Sequence, residues 1–413
     1  LKKLAASRAP SARIDLMALL PVDEALKRIL DGVKPLQSES IALDKALGRV
    51  LVVDISAKRD QPPFPASAMD GYAIRFDDID HELKIIGTSA AGHAFKGSVR
   101  PKTAVRILTG APLPKGTDTI VIQENTKRDG VILRVTADTP KGKNIRKAGL
   151  DFGRGDLLVK GNTKLGPRDI GLLAAGNAAA VKVFKRPRVV LFTTGDELVL
   201  PGMRPRADQI VSSNSHALAA MVQQFGGEII NLGIVRDNLK ATIAAVKKGL
   251  GADVLLTTGG ASVGDHDYVQ EAFKACGVKI GFWKIALRPG KPFMYGRKGR
   301  THVMGLPGNP VSALVTARIF LKPLLDVMSG RGEGEPLRSA LLRGNLPVND
   351  ERQDYVRATL EVMVDGTRWV TPFATQDSSM QRTLQASQAL ILRPPHAPAA
   401  GAGDSVSVLL LDF

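Results

Sequence analysis

Residues 255–268 read LLTTGGASVGDHDY. An apolar run ends in two threonines, then two glycines, and two carboxylates follow at Asp265 and Asp267. A plain turn needs none of this. Glycine lets backbone N–H groups approach a ligand closely, and threonine hydroxyls add donors. Outward from this stretch, the text from 187 to about 330 alternates strand and helix. RVVLFTTGDE, EIINLGIVRDN, ADVLLTTGG and THVMGLPGNP read as strands, and SNSHALAAMVQQFGG, LKATIAAVKKGL, DYVQEAFKACG and VSALVTARIFLKPLL as helices. Apolar strands alternating with helices predict a mostly parallel sheet covered on both faces.

In such sheets ligands bind beyond the carboxyl ends of the strands. Three strand ends here are built alike, with glycine and hydroxyl or proline residues leading into a helix. They are TTGDE (193–197), TTGGASVGDHD (257–267) and GLPGNPVS (305–312). Asp196, Glu197, Asp237, Asp265 and Asp267 all lie at or just after strand ends. Carboxylates beside an anion repel it unless a cation intervenes, and Mg²⁺ suits that place; helix capping is the competing reading for each single acid. Opposite charge comes from FWKIALRPGKPF (282–293), where Lys284, Arg288 and Lys291 crowd a Pro-Gly turn. They form a clamp for phosphate or another oxyanion, or a solvated turn. The residues thus point to a phosphorylated, nucleotide-like ligand, a divalent cation and a basic clamp, without fixing a reaction.

The rest of the chain divides by pattern. Residues 22–34 predict a helix, and ESIALDKALGRVLVVDISAKRD a short helix followed by a strand. Short alternating runs from 56 to 155 predict an inserted β-rich domain. Residues 156–186 carry a helix entered through Pro167 and left at Gly176, and are expected to join 15–55 in a discontinuous linking domain. The α/β domain is expected over 187–332, and renewed alternation over 337–413 predicts a C-terminal β domain. The fold class is therefore α/β plus β, multidomain.

Composition excludes several classes. The formal charge of +17 allows nucleic acid, a membrane surface or an anionic small molecule. Basic residues are spread along the chain, with short clusters such as KNIRK (143–147) and KRPR (185–188), and aromatics are only 5%, which disfavours a base-stacking surface. The single Cys276 excludes an intrachain disulfide and a multi-cysteine zinc site. No run of about 18 apolar residues occurs, so no membrane span and a cytoplasmic location are the expectations.

The same motifs carry a resemblance. PPFPASAMDGYAIR (62–75), RILTGAPLPKGTDTIV (106–121), TTGDEL, TTGGASVGDHDY, WKIALRPGKPF and GLPGNPVSAL follow one another over nearly the whole chain. Together they resemble the MoeA family of molybdopterin molybdenumtransferases, which includes the E domain of gephyrin. The resemblance implies a four-domain homodimer with its active site at the subunit interface, between the α/β domain of one subunit and the inserted β domain of the other. It implies insertion of molybdate into adenylylated molybdopterin with Mg²⁺, releasing AMP and giving molybdenum cofactor. Transient partners would be molybdopterin adenylyltransferase and molybdoenzymes, with no nucleic acid and no membrane.

Carried over residue by residue, Asp70 and Thr109 reach the site from the partner's β domain, and Arg146 and Asp151 line the cleft. Glu197, Asp237 and Asp267 are the implied catalytic acids, and with Asp196 the implied metal ligands. Thr194, Gly195, Thr258, Gly259, Gly260 and Ser262 cradle the substrate, and Pro307 and Pro310 shape the loop. Lys284, Arg288, Lys291, Ser312, Arg352 and Ser378 gather phosphate or molybdate. Two departures stand out: Arg288 occupies a position where the family usually has Lys, and Asp377 adds a negative charge beside Ser378. The alternatives are nucleotide activation, as in molybdopterin adenylyltransferases, and a non-catalytic dimeric scaffold of the same fold.

Overall fold

The computed structural model describes residues 19–259, 268–332 and 336–413. It divides into two compact units: residues 38–184, and the remainder of the chain.

In the second of these, six strands form one sheet in the order Glu228–Val235, Arg188–Thr194, Val254–Thr258, Thr301–Leu306, Met294–Lys298, Lys279–Trp283. The first four are parallel, and the last two add an antiparallel edge hairpin. Side chains alternate across a strand, so each strand feeds two cores. Val189, Leu191, Val254, Leu256, Met304 and Leu306 enter one core, shared with the helices Asn214–Gln224, Pro310–Thr316 and Lys322–Met328. Val190, Phe192, Leu255 and Val303 enter the other, under Leu239–Gly249 and Tyr268–Ala275. Residues apolar on both faces are what a doubly covered parallel sheet requires.

The helix predicted over 22–34 spans Val22–Leu30. Its stripe of Val22, Ala25 and Ile29 is buried in the first of these cores, so it packs with the α/β sheet, while 156–184 packs with residues from 38 onward. The C-terminal strands Arg338–Leu342, Gln353–Val362, Arg368–Pro372, Ala389–Arg393 and Ser405–Leu410 form a ladder that closes on itself, because Gln353–Val362 pairs on one side with Arg368–Pro372 and on the other with Ala389–Arg393. Closure removes free edges. The short strand Leu287–Arg288 joins that sheet through Gln353 and Asp354.

The unit 38–184 holds a second six-stranded sheet, ordered Thr119–Ile122, Gly71–Ile74, Thr103–Ile107, Leu83–Ser89, Ile132–Val135, Thr126–Asp129. One local expectation is corrected there. ESIALDK is strand first, Ser38–Ala42, and only then a single 3-10 turn, Leu43–Lys45. The strand pairs with Ala180–Phe184, a segment distant in sequence, and that ladder outweighs the helical propensity of IALDKAL.

Candidate active site

The parallel strands Arg188–Thr194, Val254–Thr258 and Thr301–Leu306 end at one edge of their sheet, above a cavity of about 500 Å³. Thr193, Thr194, Thr258 and Gly259 line it from the strand ends, Gly308, Asn309 and Pro310 from the start of the following helix, and Ser379 and Gln381 from the C-terminal segment. Tertiary hydrogen bonds fix the walls. Asn214 Nδ2 donates to Thr258 Oγ1 (3.2 Å) and to the Gly308 carbonyl (2.7 Å), and Thr258 Oγ1 donates to the Pro307 carbonyl (3.0 Å). Asn309 Nδ2 donates to Ser378 Oγ (2.8 Å), Val311 N to the Ser378 carbonyl (3.0 Å), and Gln381 Nε2 to Ser213 Oγ (2.6 Å). Thr193 Oγ1 and Thr194 Oγ1 are buried at the cavity with no hydrogen-bond partner among the described residues. Buried hydroxyls left unpaired cost about 1–3 kcal/mol each, so a polar ligand here recovers energy the fold forgoes.

Gly259 permits this geometry. Its φ is +86°, and a Cβ there would lie 2.5 Å from the Thr194 carbonyl oxygen. Gly259→Ala is therefore expected to destabilise the protein by about 1–3 kcal/mol and to weaken ligand binding at this edge. Urea unfolding read beside substrate titration checks both effects. Gly260, Ser262, Asp265 and Asp267 lie outside the described residues.

The acids separate into different settings. Glu197 lines the cavity, and its carboxylate folds over Gly195, where a Cβ would sit 2.5 Å from Oε2. Asp196 caps no helix; its Oδ1 accepts the N–H of Asp237 (3.1 Å). The next helix is capped instead by Asn238, whose Oδ1 accepts from Ala241 N (2.9 Å). Asp196 and Asp237 are thus neighbours, and neither competes for that cap. Among the described residues no group of three or more His, Cys, Asp or Glu side chains is placed to hold a metal by itself. Mg²⁺ needs only one or two carboxylates when substrate phosphates and water complete its shell, so this donor set suits it.

The basic segment is not one uniform clamp. Lys284 has φ +68°, rare for a non-glycine residue, and its ammonium lies 4.3 Å from the centre of the Trp283 ring. Lys291 is exposed, its carbonyl accepting from Ile285 N. Ser312 is buried in the helix Pro310–Thr316. Neither Lys284, Arg288, Lys291, Ser312 nor Arg352 belongs to the lining of the cavity. Arg288 uses its fork on the C-terminal sheet: Nη1 donates to Asp350 Oδ2 (2.8 Å), and Nη2 to Asn349 Oδ1 (3.1 Å) and to Asp354 Oδ2. Arg352 donates to Asp350 through its N–H (2.9 Å) and Nη2 (2.7 Å). A lysine at 288 offers one point charge where three acceptors converge, which accounts for arginine at this position.

The Arg352 side chain and N–H, joined by Arg288, lower the Asp350 carboxyl to about 2. A depressed carboxyl contributes stability that is present above its unfolded value near 4 and is lost as pH falls from about 4 to about 2. Asp350→Asn should remove an acid-limb contribution of about 1 kcal/mol, the size a partly exposed pair retains after screening. Denaturant titrations at pH 6 and pH 3 test this: the two proteins should differ at pH 6, and the difference should shrink to roughly half at pH 3, since Asp350 stays ionised in the folded state until about pH 2.

The unit 38–184 carries its own cluster. Asp70 Oδ1 accepts from Thr109 N and Thr109 Oγ1, both at 2.7 Å, and these bonds hold the carboxyl below its usual range. Ser67 Oγ donates to the Met69 carbonyl (2.5 Å), and Gly110 N donates to the Ser67 carbonyl (2.9 Å). Arg146 faces Ala66 in a two-residue ladder, and Asp151 N donates to the Gln61 carbonyl (2.9 Å). Two segments 39 residues apart therefore meet to present an ionised, solvent-facing Asp70 carboxylate.

Thr193 and Asn309 lie within the strand-end motifs TTGDE and GLPGNPVS, whereas sequence patterns do not single out Ser213, Asn214, Ser379 or Gln381. Asn214 and Ser213 read as ordinary helix-start residues, and their contacts to 258, 308 and 381 are tertiary.

Comparison with known proteins agrees with these motifs. Residues 20–176 match the MoeA N-terminal region (domain I and II), residues 190–327 a probable molybdopterin binding domain, and residues 339–411 the MoeA C-terminal region (domain IV). The chain is 34% identical over 402 residues to a molybdopterin molybdenumtransferase of Haemophilus influenzae, covering 94% of this chain and 98% of that one. It is 36% identical over 342 residues to the enzyme of the same name from a Nostoc species, covering 80% and 78%. A crystal structure of a molybdopterin biosynthesis MoeA protein from Pyrococcus horikoshii superimposes with a TM-score of 0.79 at 29% identity, over 95% of this chain and 99% of that chain.

Proposed function

The chain belongs to the MoeA family of molybdopterin molybdenumtransferases, and we propose accordingly that the cavity at the strand ends receives adenylylated molybdopterin and brings molybdate to it. The protein is a transferase of molybdenum cofactor biosynthesis. The observation that carries the reading of the cavity is the pair of unpartnered buried hydroxyls, Thr193 and Thr194, at the ends of parallel strands that also present the Gly259 turn.

Thr194, Thr258 and Gly259 hold the phosphate-bearing part of the substrate, joined by Gly260 and Ser262 as the family resemblance implies. Gly195 and Pro307 shape the strand ends, and Pro310 opens the helix whose first turn closes the cavity. Ser378, held by Asn309 and by Val311 N–H, fixes the wall from the C-terminal segment. Lys284 and Lys291 draw in the oxyanion, while Arg288 and Arg352 act through the ion-pair network that seats the C-terminal sheet.

Mg²⁺, when bound, neutralises charge on the phosphoanhydride and on the incoming oxyanion. Glu197, with Asp196 and Asp237, would hold it, joined by Asp267 as the family resemblance implies. Most of the catalysis then lies in positioning and electrostatic preorganisation, since two anionic reactants must be brought together. We further propose a homodimer in which Asp70, Thr109, Arg146 and Asp151 of one subunit complete the site of the other.

AMP release from purified adenylylated molybdopterin tests this reading. Release should require both molybdate and Mg²⁺ and should fall sharply in Glu197→Gln. Release that is indifferent to molybdate would support nucleotide chemistry alone. Tight binding without release would support a scaffold.

A further inference from the structure

A second cavity, of about 550 Å³, lies at the opposite edge of the α/β sheet, where the parallel strands begin. Arg188 opens the strand Arg188–Thr194, and His302 is the second residue of Thr301–Leu306. Arg297 lies near the end of the strand Met294–Lys298, and Arg300 in the turn that joins it to Thr301–Leu306. The loop 32–37 after the first helix supplies Lys34, and the KRPR segment supplies Lys185 and Arg186. Leu36 and Met328 give the cavity an apolar floor.

Six basic side chains, Lys34, Lys185, Arg186, Arg188, Arg297 and Arg300, thus line one cavity that holds a single carboxylate, Asp253. None of the six side chains has an ion-pair partner among the described residues. Asp253 is already engaged: its Oδ2 accepts from Arg188 N (2.8 Å), and its N–H and carbonyl bond to Arg188 O and His302 N. Glu228, the register partner of Arg188 on the neighbouring strand, does not line the cavity. Burial, with Arg297 adding to it, lowers His302 to about 4, so the imidazole is neutral here at pH 7 and contributes no charge of its own.

Like charges gathered around a concave wall raise the local potential and concentrate counter-anions. A solvated surface would spread such charges apart, whereas three separate chain segments converge them here. The volume falls within the roughly 300–1,000 Å³ of small-molecule sites, and arginine forks match oxyanions in a bidentate manner. We propose that this cavity is a binding site for a small, multiply charged oxyanion, a polyphosphate or a polycarboxylate, separate from the cavity at the carboxyl ends of the strands.

The test is calorimetry on the full-length protein at physiological salt, with tripolyphosphate and with citrate as the two probes and AMP saturating the other cavity. One equivalent of either probe should bind, and the tighter one identifies the chemistry. Arg186→Glu with Arg300→Glu should weaken it by about tenfold or more, and Lys34→Glu with Lys185→Glu, all at surface positions, should do the same if the first pair misfolds. Turnover of adenylylated molybdopterin by these variants should stay within about twofold of wild type, as expected for a distant site. Absence of binding by both probes would overturn the proposal. So would binding that both charge-reversed pairs leave unchanged.

Discussion

Asp70→Asn is expected to lower molybdate-dependent AMP release by about 100- to 1,000-fold while leaving the protein folded. The amide keeps an oxygen at the position of Oδ1, so it still accepts from Thr109 N and Thr109 Oγ1, and the two segments remain tied. What is lost is the negative charge, which the Thr109 donors stabilise on a solvent-facing carboxylate. A thermal midpoint equal to wild type, beside a collapse in kcat, separates the role in the reaction from the role in the loop. Turnover within a few-fold of wild type would reduce Asp70 to a turn residue.

Gly71→Ala should be the most destabilising small change in the unit 38–184, costing about 3 kcal/mol or more. Gly71 is buried in the strand Gly71–Ile74, with Ile122 on one side and Ile107 on the other. A Cβ there would lie 2.0 Å from the Val121 carbonyl oxygen and 2.9 Å from the Ile122 Cα. Both are backbone atoms of a paired strand, which cannot swing aside as a side chain would. The glycine following Asp70 is therefore a matter of space rather than of turn conformation. Urea unfolding followed by circular dichroism should show a transition displaced to lower denaturant. An unchanged midpoint would mean that the two strands part easily, contrary to their close packing.

The α/β unit is legible in the sequence because its signal is local. Strands apolar on both faces, glycine turns and capped helices recur in register, and Leu255, Thr258 and Gly259 can be placed from their own neighbours. The cavity's other walls are not legible, because Asn214, Ser379 and Gln381 reach it only through tertiary folding; Gln381 and Ser213 are 168 residues apart. The same reason hides the partners of Arg288. A basic Pro-Gly turn suggests an anion clamp, but Asp350 and Asp354 arrive 62 and 66 residues later and occupy the guanidinium. Residues 38–45 mislead for a related cause. A segment of modest helical propensity becomes a strand once Ala180–Phe184 supplies a ladder. The KRPR cluster reads only as a short basic run until loop 32–37 and the 298–301 turn are seen beside it.

The proposed centre, with the Asp70 cluster of one subunit completing the strand-end cavity of another, predicts a definite outcome for mixed dimers. Asp70→Asn protein and Glu197→Gln protein, each nearly inactive alone, can be mixed under conditions that exchange subunits. Hybrid dimers should contain one intact centre and recover substantial molybdate-dependent AMP release. Mixtures no more active than the separate variants, despite proven subunit exchange, would contradict a centre shared between subunits.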